Sequence, residues 1–142
     1  MAIELSPPEA MDWVFAQPRT ATLATTLADG SPFAAPIWVA RDGDRIVFNT
    51  GAHTAKGRAL RRDPRAALCF DDERPPFAFV TVRGTVEIDE DPERLVHWAS
   101  VIGGRYMGPE RAEAYGRRNG VPGELLVTLT PTRVLGALDI AE

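Results

Sequence analysis

A run of cationic side chains follows a residue that is well suited to cap a helix. Thr54 can accept hydrogen bonds from the free amides of a helix start, and the cations after it are Lys56, Arg58, Arg61 and Arg62. A helix N-terminus already carries about half a positive charge, so a lysine in its first turn is unfavourable unless an anion binds there. The pattern therefore predicts a site for a phosphate or a carboxylate.

The direction of Lys56 supports this interpretation. It is the only lysine among 16 basic residues. At 100° per residue it shares a helix stripe with the apolar Ala59 and Leu60, whereas Arg58 and Arg62 share another. We therefore expect Lys56 to point inward. The alternative is a basic surface helix whose lysine extends along the surface to water.

Other kinds of catalytic site find little support. His53 and His97 lack the carboxylate or cysteine spacing of a metal site or a nucleophilic triad. Residues 51–57 have the glycine and lysine of a Walker loop in the reverse order, and Gly103-Gly104 lacks the third glycine of a dinucleotide loop. A catalytic function would therefore depend on the chemistry of a bound cofactor.

Composition bounds the class of protein. The chain has 142 residues with 44% hydrophobic and 25% charged, which predicts one domain over residues 1–142. A net charge of −4 disfavours nucleic acid as a partner.

The single cysteine, Cys69, lies in an apolar run and is expected to be a buried structural residue, consistent with a reducing compartment. The first residues lack a signal peptide and no apolar run would span a membrane, so we expect a cytoplasmic protein without a membrane partner.

The elements around the basic helix are predicted mainly as strands. A capping box at Ser6 and Glu9, with Pro7 at the first helical position, predicts a short helix to about Ala16. Alternating apolar residues and turn signals predict strands at 20–27, 32–40, 45–50, 66–70, 77–89, 124–130 and 132–138, the last two hinged at Pro131. The first three strands should form a meander.

Two further helices are expected between the last long strands. Asp91-Pro92 begins one that extends through Ile102, and Gly108-Pro109 begins another that ends at Asn119-Gly120. Strands in this number, with helices inserted between them, close most easily as an antiparallel barrel.

Several segments, in this order, resemble a known family. They are residues 23–32, 36–38, 44–50, 54–65 and 82–88. Their order and spacing resemble the flavin-binding split-barrel family, typified by pyridoxamine 5′-phosphate oxidase and including oxidoreductases that use the deazaflavin coenzyme F420. The resemblance implies a mainly β fold with α-helices, a split antiparallel β-barrel of the FMN-binding type with flanking helices. It also implies a homodimer with the cofactor at the subunit interface.

The resemblance also implies which residues contact the cofactor. The cofactor phosphate would meet Lys56 and the helix start, and Arg58 and Arg61 would meet an acidic tail. The full expected set is Pro36, Ile37, Trp38, Thr50, Thr54, Ala55, Lys56, Arg58, Arg61, Phe77 and Ala78. Trp38 has an alternative role as a core residue, and Phe77 and Phe79 are interpreted as packing in the core or the dimer rather than stacking on substrate.

Differences from the oxidase sequences favour the F420-dependent oxidoreductases of this family. The segment at residues 131–136 differs from the Arg-x-Glu-Phe-Trp segment that binds substrate in the oxidases, and Ala55 stands where they have an arginine. Pro36-Ile37-Trp38, residues 60–65 and Arg105-Tyr106-Met107-Gly108 are more similar to the deazaflavin enzymes.

The function that this branch implies is hydride transfer between F420 and a small conjugated substrate of unknown identity. The alternatives are an FMN-dependent oxidoreductase of the same fold and a non-enzymatic carrier of a cofactor, haem or another tetrapyrrole.

Overall fold

Strands with alternating buried and exposed residues form most of the chain. A computed structural model describes residues 1–142. Its strands are β1 (Ile3–Glu4), β2 (Ala21–Thr26), β3 (Pro32–Ile37), β4 (Ala40–Asp42), β5 (Arg45–Gly51), β6 (Arg65–Asp72), β7 (Ala78–Asp89) and β8 (Glu124–Leu138). Its helices are α1 (Pro7–Phe15), α2 (Ala55–Arg62), α3 (Pro92–Met107) and α4 (Ala112–Asn119), with a 3₁₀ turn at Pro109–Arg111.

The strands form one antiparallel sheet in the order β3-β2-β6-β7-β8-β5-β4, and β1 pairs with the far end of β8. The edge strands β3 and β4 do not pair with each other, so the sheet does not close. The fold is a split antiparallel β-barrel with flanking helices, and the predicted fold class is confirmed.

The predicted meander is wrong in one respect. The strand expected at 32–40 is interrupted at Trp38 and Val39, and β3 and β4 lie at opposite edges of the sheet. The amide of Val39 donates a hydrogen bond to the Tyr106 hydroxyl at 3.1 Å rather than to a strand. The chain therefore crosses between the two halves of the sheet at this point.

The last strand is continuous, whereas two strands were predicted. Arg83 of β7 pairs with Arg133 and Gly84 pairs with Pro131, which leaves Thr132 as the extra residue of a β-bulge. A Cβ atom at Gly84 would overlap the Thr130 carbonyl oxygen. Pro131 is accommodated because the ladder is already irregular beside it.

The core lies between the curved faces of the sheet. In β7, Val80, Val82 and Val86 are buried and Arg83 and Glu87 are exposed, which confirms the predicted alternation. The largest fully buried side chains include Leu23, Phe48, Leu60, Leu68, Phe70, Leu125 and Leu129, contributed by α2 and the central strands.

Helix α1 covers one end of this core. The Ser6 hydroxyl accepts from the Glu9 amide at 3.3 Å and the Glu9 carboxylate accepts from the Ser6 amide at 3.0 Å, which confirms the capping box. Met11 and Val14 are buried against the sheet. None of the helices has the length and apolar content needed to cross a membrane.

Helix α3 covers the outer face of β5 and β8, where Leu95 packs on Val47 and Leu126, and α4 packs on α3. The run 125–129 is therefore buried on both faces. The helix expected from Gly108-Pro109 begins as the 3₁₀ turn and becomes α-helical only at Ala112.

The burial expected for Cys69 is wrong. Ala66, Leu68 and Phe70 of β6 are buried, and Cys69 faces outward between them and is exposed. The Thr81 hydroxyl donates to its Sγ at 3.8 Å. An apolar run at a sheet with one solvent-facing side buries only alternate residues.

Candidate functional site

The start of α2 is held tightly to the end of β5. The Thr54 hydroxyl accepts from the Gly57 amide at 3.1 Å and donates to the Gly51 carbonyl at 2.7 Å. Thr54 is therefore the helix cap, as predicted. The Thr50 and Thr54 hydroxyl oxygens are 3.3 Å apart, so the end of the strand and the start of the helix form one polar network.

Glycine at position 57 permits this close approach. A Cβ atom there would overlap the Gly51 carbonyl oxygen and lie 3.2 Å from the Ala52 carbonyl carbon. Because both neighbours are backbone atoms, no side-chain rotation would relieve the overlap. Gly57 thus sets how near the helix start lies to the strand end.

The first turn of α2 has donors without protein acceptors. The amides of Ala55 and Lys56 make no hydrogen bond within the protein, since the cap satisfies Gly57 and the Thr54 carbonyl accepts from Arg58. Free amides at a helix N-terminus, together with a cation, are the donor set that binds phosphate. The residues present therefore fit the phosphate of a cofactor.

Lys56 is half-buried and lines a cleft of about 480 Å³. This volume lies in the range of small-molecule and cofactor sites. Of the sequence-predicted residues, the cleft brings together Pro36, Ile37, Trp38, Thr50, Thr54 and Lys56. Segments separated by the β4–β5 hairpin thus meet around one space.

Trp38 forms an aromatic wall of the cleft, and two tyrosine rings pack against it. Its ring stacks on Tyr106 with centroids 5.0 Å apart, and Tyr115 lies against it at 6.0 Å with a tilt of 57°. The Tyr106 hydroxyl accepts from the Val39 amide and donates to the Arg19 carbonyl at 2.6 Å. Trp38 remains 36% exposed, so it is not a plain core residue.

The other predicted residues lie outside this cleft. Arg58 donates to the His53 carbonyl at 2.7 Å, and Arg61 pairs with Glu90 at 3.0 Å. Phe77 and Ala78 line a separate hollow of about 370 Å³ beside Trp13. Ala55 contributes its amide at the helix start and is not a cleft-lining residue.

Sequence reasoning missed half of the cleft lining. The additional residues are Thr20, Asn49, Gly51, Ile102, Asn119 and Glu124. Asn49 lies in a segment that resembles the family and Gly51 in the run compared with a Walker loop, but Ile102 and Asn119 come from helices whose packing is a tertiary property. Glu124 had one local signal, a carboxylate immediately after a Pro-Gly turn and before an apolar strand.

Glu124 is the acidic group of the cleft. Burial raises the pKa of its carboxyl, and the nearby positive charge of Lys56 acts in the opposite direction. Its Oε2 atom is inaccessible to solvent and has no hydrogen-bond partner. The cleft therefore combines a cation with free amides, an unpartnered carboxylate oxygen and an aromatic wall.

Sequence comparison relates the chain to one family. The sequence model of the family described as pyridoxamine 5′-phosphate oxidase matches residues 7–136. A pyridoxine/pyridoxamine 5′-phosphate oxidase from Cupriavidus metallidurans is 37% identical over 109 residues, which are 74% of this chain and 50% of that protein. The chain thus spans about half the length of the curated relatives that it matches.

Solved structures extend the likeness across most of the chain. A conserved hypothetical protein from Mycobacterium tuberculosis, Rv2991, is 30% identical to this chain. The alignment covers 92% of this chain and 82% of that one, with a TM-score of 0.79. A structure described as an F420 reductase is 26% identical to this chain. The alignment covers 87% of this chain and 94% of that one, with a TM-score of 0.69.

Proposed function

Because the chain belongs to the pyridoxamine 5′-phosphate oxidase family, we propose that it is an oxidoreductase that binds a flavin-type cofactor in the cleft described above. The observation that carries the proposal is the half-buried Lys56 beside two free amides at the start of α2. A flavin or deazaflavin supplies hydride-transfer chemistry when bound. The protein residues bind it, orient it and exclude water.

Each part of the cleft has a role in this proposal. Lys56 and the amides of Ala55 and Lys56 bind the cofactor phosphate through charge-assisted hydrogen bonds. Thr50 and the backbone of Pro36 to Trp38 flank the polyol chain and the ring. Trp38, fixed by its stack on Tyr106, limits the space in which a planar ring and a conjugated substrate fit.

We favour coenzyme F420 over FMN as the cofactor. The structural likeness to the F420 reductase, at 26% identity, extends over 94% of that chain. Alanine at position 55 also removes an arginine that the oxidases use beside the lysine. The substrate in this proposal is a small conjugated molecule reduced by hydride transfer, and the alternative is an FMN-dependent oxidoreductase.

Titration of the cofactor-free protein with each cofactor tests this assignment. We expect oxidised F420 to bind with a change in its absorption near 420 nm, and to bind more tightly than FMN, which absorbs near 450 nm. Tighter binding of FMN would replace the F420 assignment with the alternative. Binding of neither, together with a Soret band that is sharpened and shifted relative to free haem, would replace an oxidoreductase with a tetrapyrrole-binding protein.

We further propose that the protein acts as a homodimer with the cofactor near the subunit interface. Support comes from a row of neighbouring residues across the outer sheet face, in which Thr22 pairs with Cys69, Cys69 with Thr81 and Thr81 with Leu135. Leu135 is 58% exposed, unusually high for a leucine on a strand of the main sheet. The small and apolar side chains of this row suit close packing against a second copy.

A further inference from the structure

A hollow of about 380 Å³ lies on the outer face of the sheet and shares no lining residue with the Lys56 cleft. The ladder between β2 and β6 has only three pairs and ends at Ala24 and Ala67, and the two strands separate beyond it. The space between them is the outer hollow, lined by Thr25, Thr26, Asp63, Arg65, Ala67 and Arg83 among others.

A row of neighbouring residues runs across five strands beside this hollow. In order of pairing the row is Ala34, Ala24, Ala67, Arg83 and Arg133. The flanking Val82 and Val134 pack toward the core, so the row faces outward. Three small side chains thus form an apolar floor that ends at two adjacent arginines.

The two arginines have no acidic partner. Arg83 and Arg133 are exposed and lie directly opposite each other in the ladder between β7 and β8, and neither makes an ion pair. Asp71 and Glu87, on the same face, are each four positions along their strands from this row, or about 13 Å. Like charges directly opposite each other destabilise a sheet unless an anion compensates them.

The remaining polar groups of the outer hollow leave this charge uncompensated. Asp63 accepts from two nitrogens of Arg65, at 3.0 and 2.8 Å, so those two charges neutralise each other. Thr25 is only 7% exposed, and its hydroxyl has no hydrogen-bond partner. The site therefore combines two unpaired cations and one unpartnered buried hydroxyl with an apolar floor.

This combination indicates the chemistry of a ligand. Guanidinium groups bind the oxygens of phosphate and carboxylate groups through pairs of hydrogen bonds. Two neighbouring guanidinium groups are neutralised by a dianion, whereas a monoanion leaves one charge unpaired. The alanine floor favours a ligand with an apolar body, because contact with it removes apolar surface from water.

We propose that the outer hollow and the pair Arg83 and Arg133 form a second binding site, which takes a small organic dianion. The two guanidinium groups bind the anionic group, and the apolar body lies on Ala24 and Ala67. The site does not depend on Lys56 or on a flavin-type cofactor. A second copy packed along the neighbouring row of Cys69 would remove water from the arginines and increase their need for an anion.

The test is an NMR titration of the complete protein with phenyl phosphate, following the methyl signals of Ala24 and Ala67. Lys56→Ala is titrated in parallel, because it removes the phosphate contact of the cleft. We expect both methyl signals to shift in wild type and in Lys56→Ala. Arg83→Ala and Arg133→Ala should each weaken this binding about tenfold, the effect of losing a hydrogen bond to a charged group.

Two comparison ligands test the proposed class. Inorganic phosphate lacks the apolar body and benzoate carries a single charge, so both should bind at this site more weakly than phenyl phosphate. An affinity for either of them equal to that for phenyl phosphate would overturn the assignment to organic dianions.

Arg133→Glu separates ligand binding from a structural role. A carboxylate opposite Arg83 forms a cross-strand ion pair, which should raise the melting temperature by about 1–3 °C while abolishing phenyl phosphate binding. Arg117→Ala, at an exposed position of α4, is the control for net charge and should bind phenyl phosphate as wild type does. Unchanged binding in Arg83→Ala, or no shift at Ala24 and Ala67, would overturn the site.

The outcome is independent of the proposed function. If phenyl phosphate binds through Arg83 and neither F420 nor FMN binds the cleft, the second site stands and the cofactor assignment falls. If a cofactor binds in a Lys56-dependent way and the two alanine methyl signals do not respond to phenyl phosphate, the function stands and the second site falls.

Discussion

The indole of Trp38 lies parallel to the phenol ring of Tyr106, with their planes 5° apart and their centroids 5.0 Å apart. Tyr106 also binds both chain segments that flank the stack, through the Val39 amide at 3.1 Å and the Arg19 carbonyl at 2.6 Å. One residue of α3 therefore positions the aromatic wall of a cleft whose other walls come from the sheet.

Tyr106→Phe should retain the ring stack and lose both hydrogen bonds. Because Val39 is buried, its amide would lose its partner, and we expect the free energy of unfolding to fall by about 1–3 kcal/mol. Urea denaturation measures the change. Tyr115→Phe is the matched control, since the Tyr115 ring contacts Trp38 but its hydroxyl makes no hydrogen bond in the structure. Equal stability of the two variants would contradict the bridging role of Tyr106.

Lys56→Ala should separate cofactor binding from folding. Loss of a charge-assisted contact to the cofactor phosphate should weaken binding about tenfold to a hundredfold. The apoprotein should keep its stability or gain a few tenths of a kcal/mol, because a cation in the first turn opposes the helix dipole. A fluorescence titration at fixed ionic strength measures the affinity.

The control for Lys56 is Arg62→Ala on another face of α2. The Arg62 guanidinium donates to the Thr26 carbonyl at 3.0 Å, outside the cleft. Its removal should alter affinity much less. An affinity of Lys56→Ala within twofold of wild type would mean that the lysine is an ordinary surface residue.

Gly57→Ala should destabilise the protein although alanine is the better helix former. Propensity alone favours the alanine by about 1 kcal/mol. The added methyl group would overlap the Gly51 carbonyl, and we expect a net loss of about 1–3 kcal/mol together with weaker cofactor binding. Thermal unfolding decides the sign. Arg58→Ala, at an exposed position of the same helix, should change stability little, and a stabilised Gly57→Ala would show that the helix start tolerates displacement.

Glu124→Gln should change how stability depends on pH. Burial raises the pKa of Glu124 above its ordinary value of 4.5, so the folded chain holds this proton more tightly than the unfolded chain. The stability contributed by the neutral carboxyl is full below pH 4.5 and is lost as pH rises through the folded-state pKa. The variant should therefore be more stable than wild type at pH 7 and close to it at pH 4.

Urea titrations at the two pH values measure this difference. Glu87→Gln, on the exposed face of β7, supplies the control for loss of one negative charge. The same gain in both variants would assign the effect to net charge rather than to the buried position of Glu124.

Leu135→Glu should weaken the proposed dimer. A charge in the row of Thr22, Cys69, Thr81 and Leu135 would have to be buried against the second copy. Light scattering should then report the mass of one chain, where wild type has the mass of two. Val101→Glu on α3, an apolar residue with 39% exposure that lies outside this row, should remain dimeric. A monomeric wild-type protein at micromolar concentration would refute the assembly itself.

Local sequence was sufficient for the features that depend on neighbouring residues. The Thr54 cap, the Ser6–Glu9 capping box and the alternation of β7 each involve groups a few positions apart, so residue type and spacing determine them directly. Order and spacing of segments were also enough to identify the fold family. Charge placement on α2 predicted an anion site, and the structure places Lys56 in the cleft beside Thr54.

Long-range pairing decided what local sequence could not. The pairing of Gly51 with Glu124, and the placement of Ile102 and Asn119 in the cleft, depend on which strands become neighbours and where helices pack on them. The outward direction of Cys69 depends on which face of the sheet lacks a covering layer. These outcomes depend on the total apolar surface that the whole chain buries when it folds. A short segment does not determine that total.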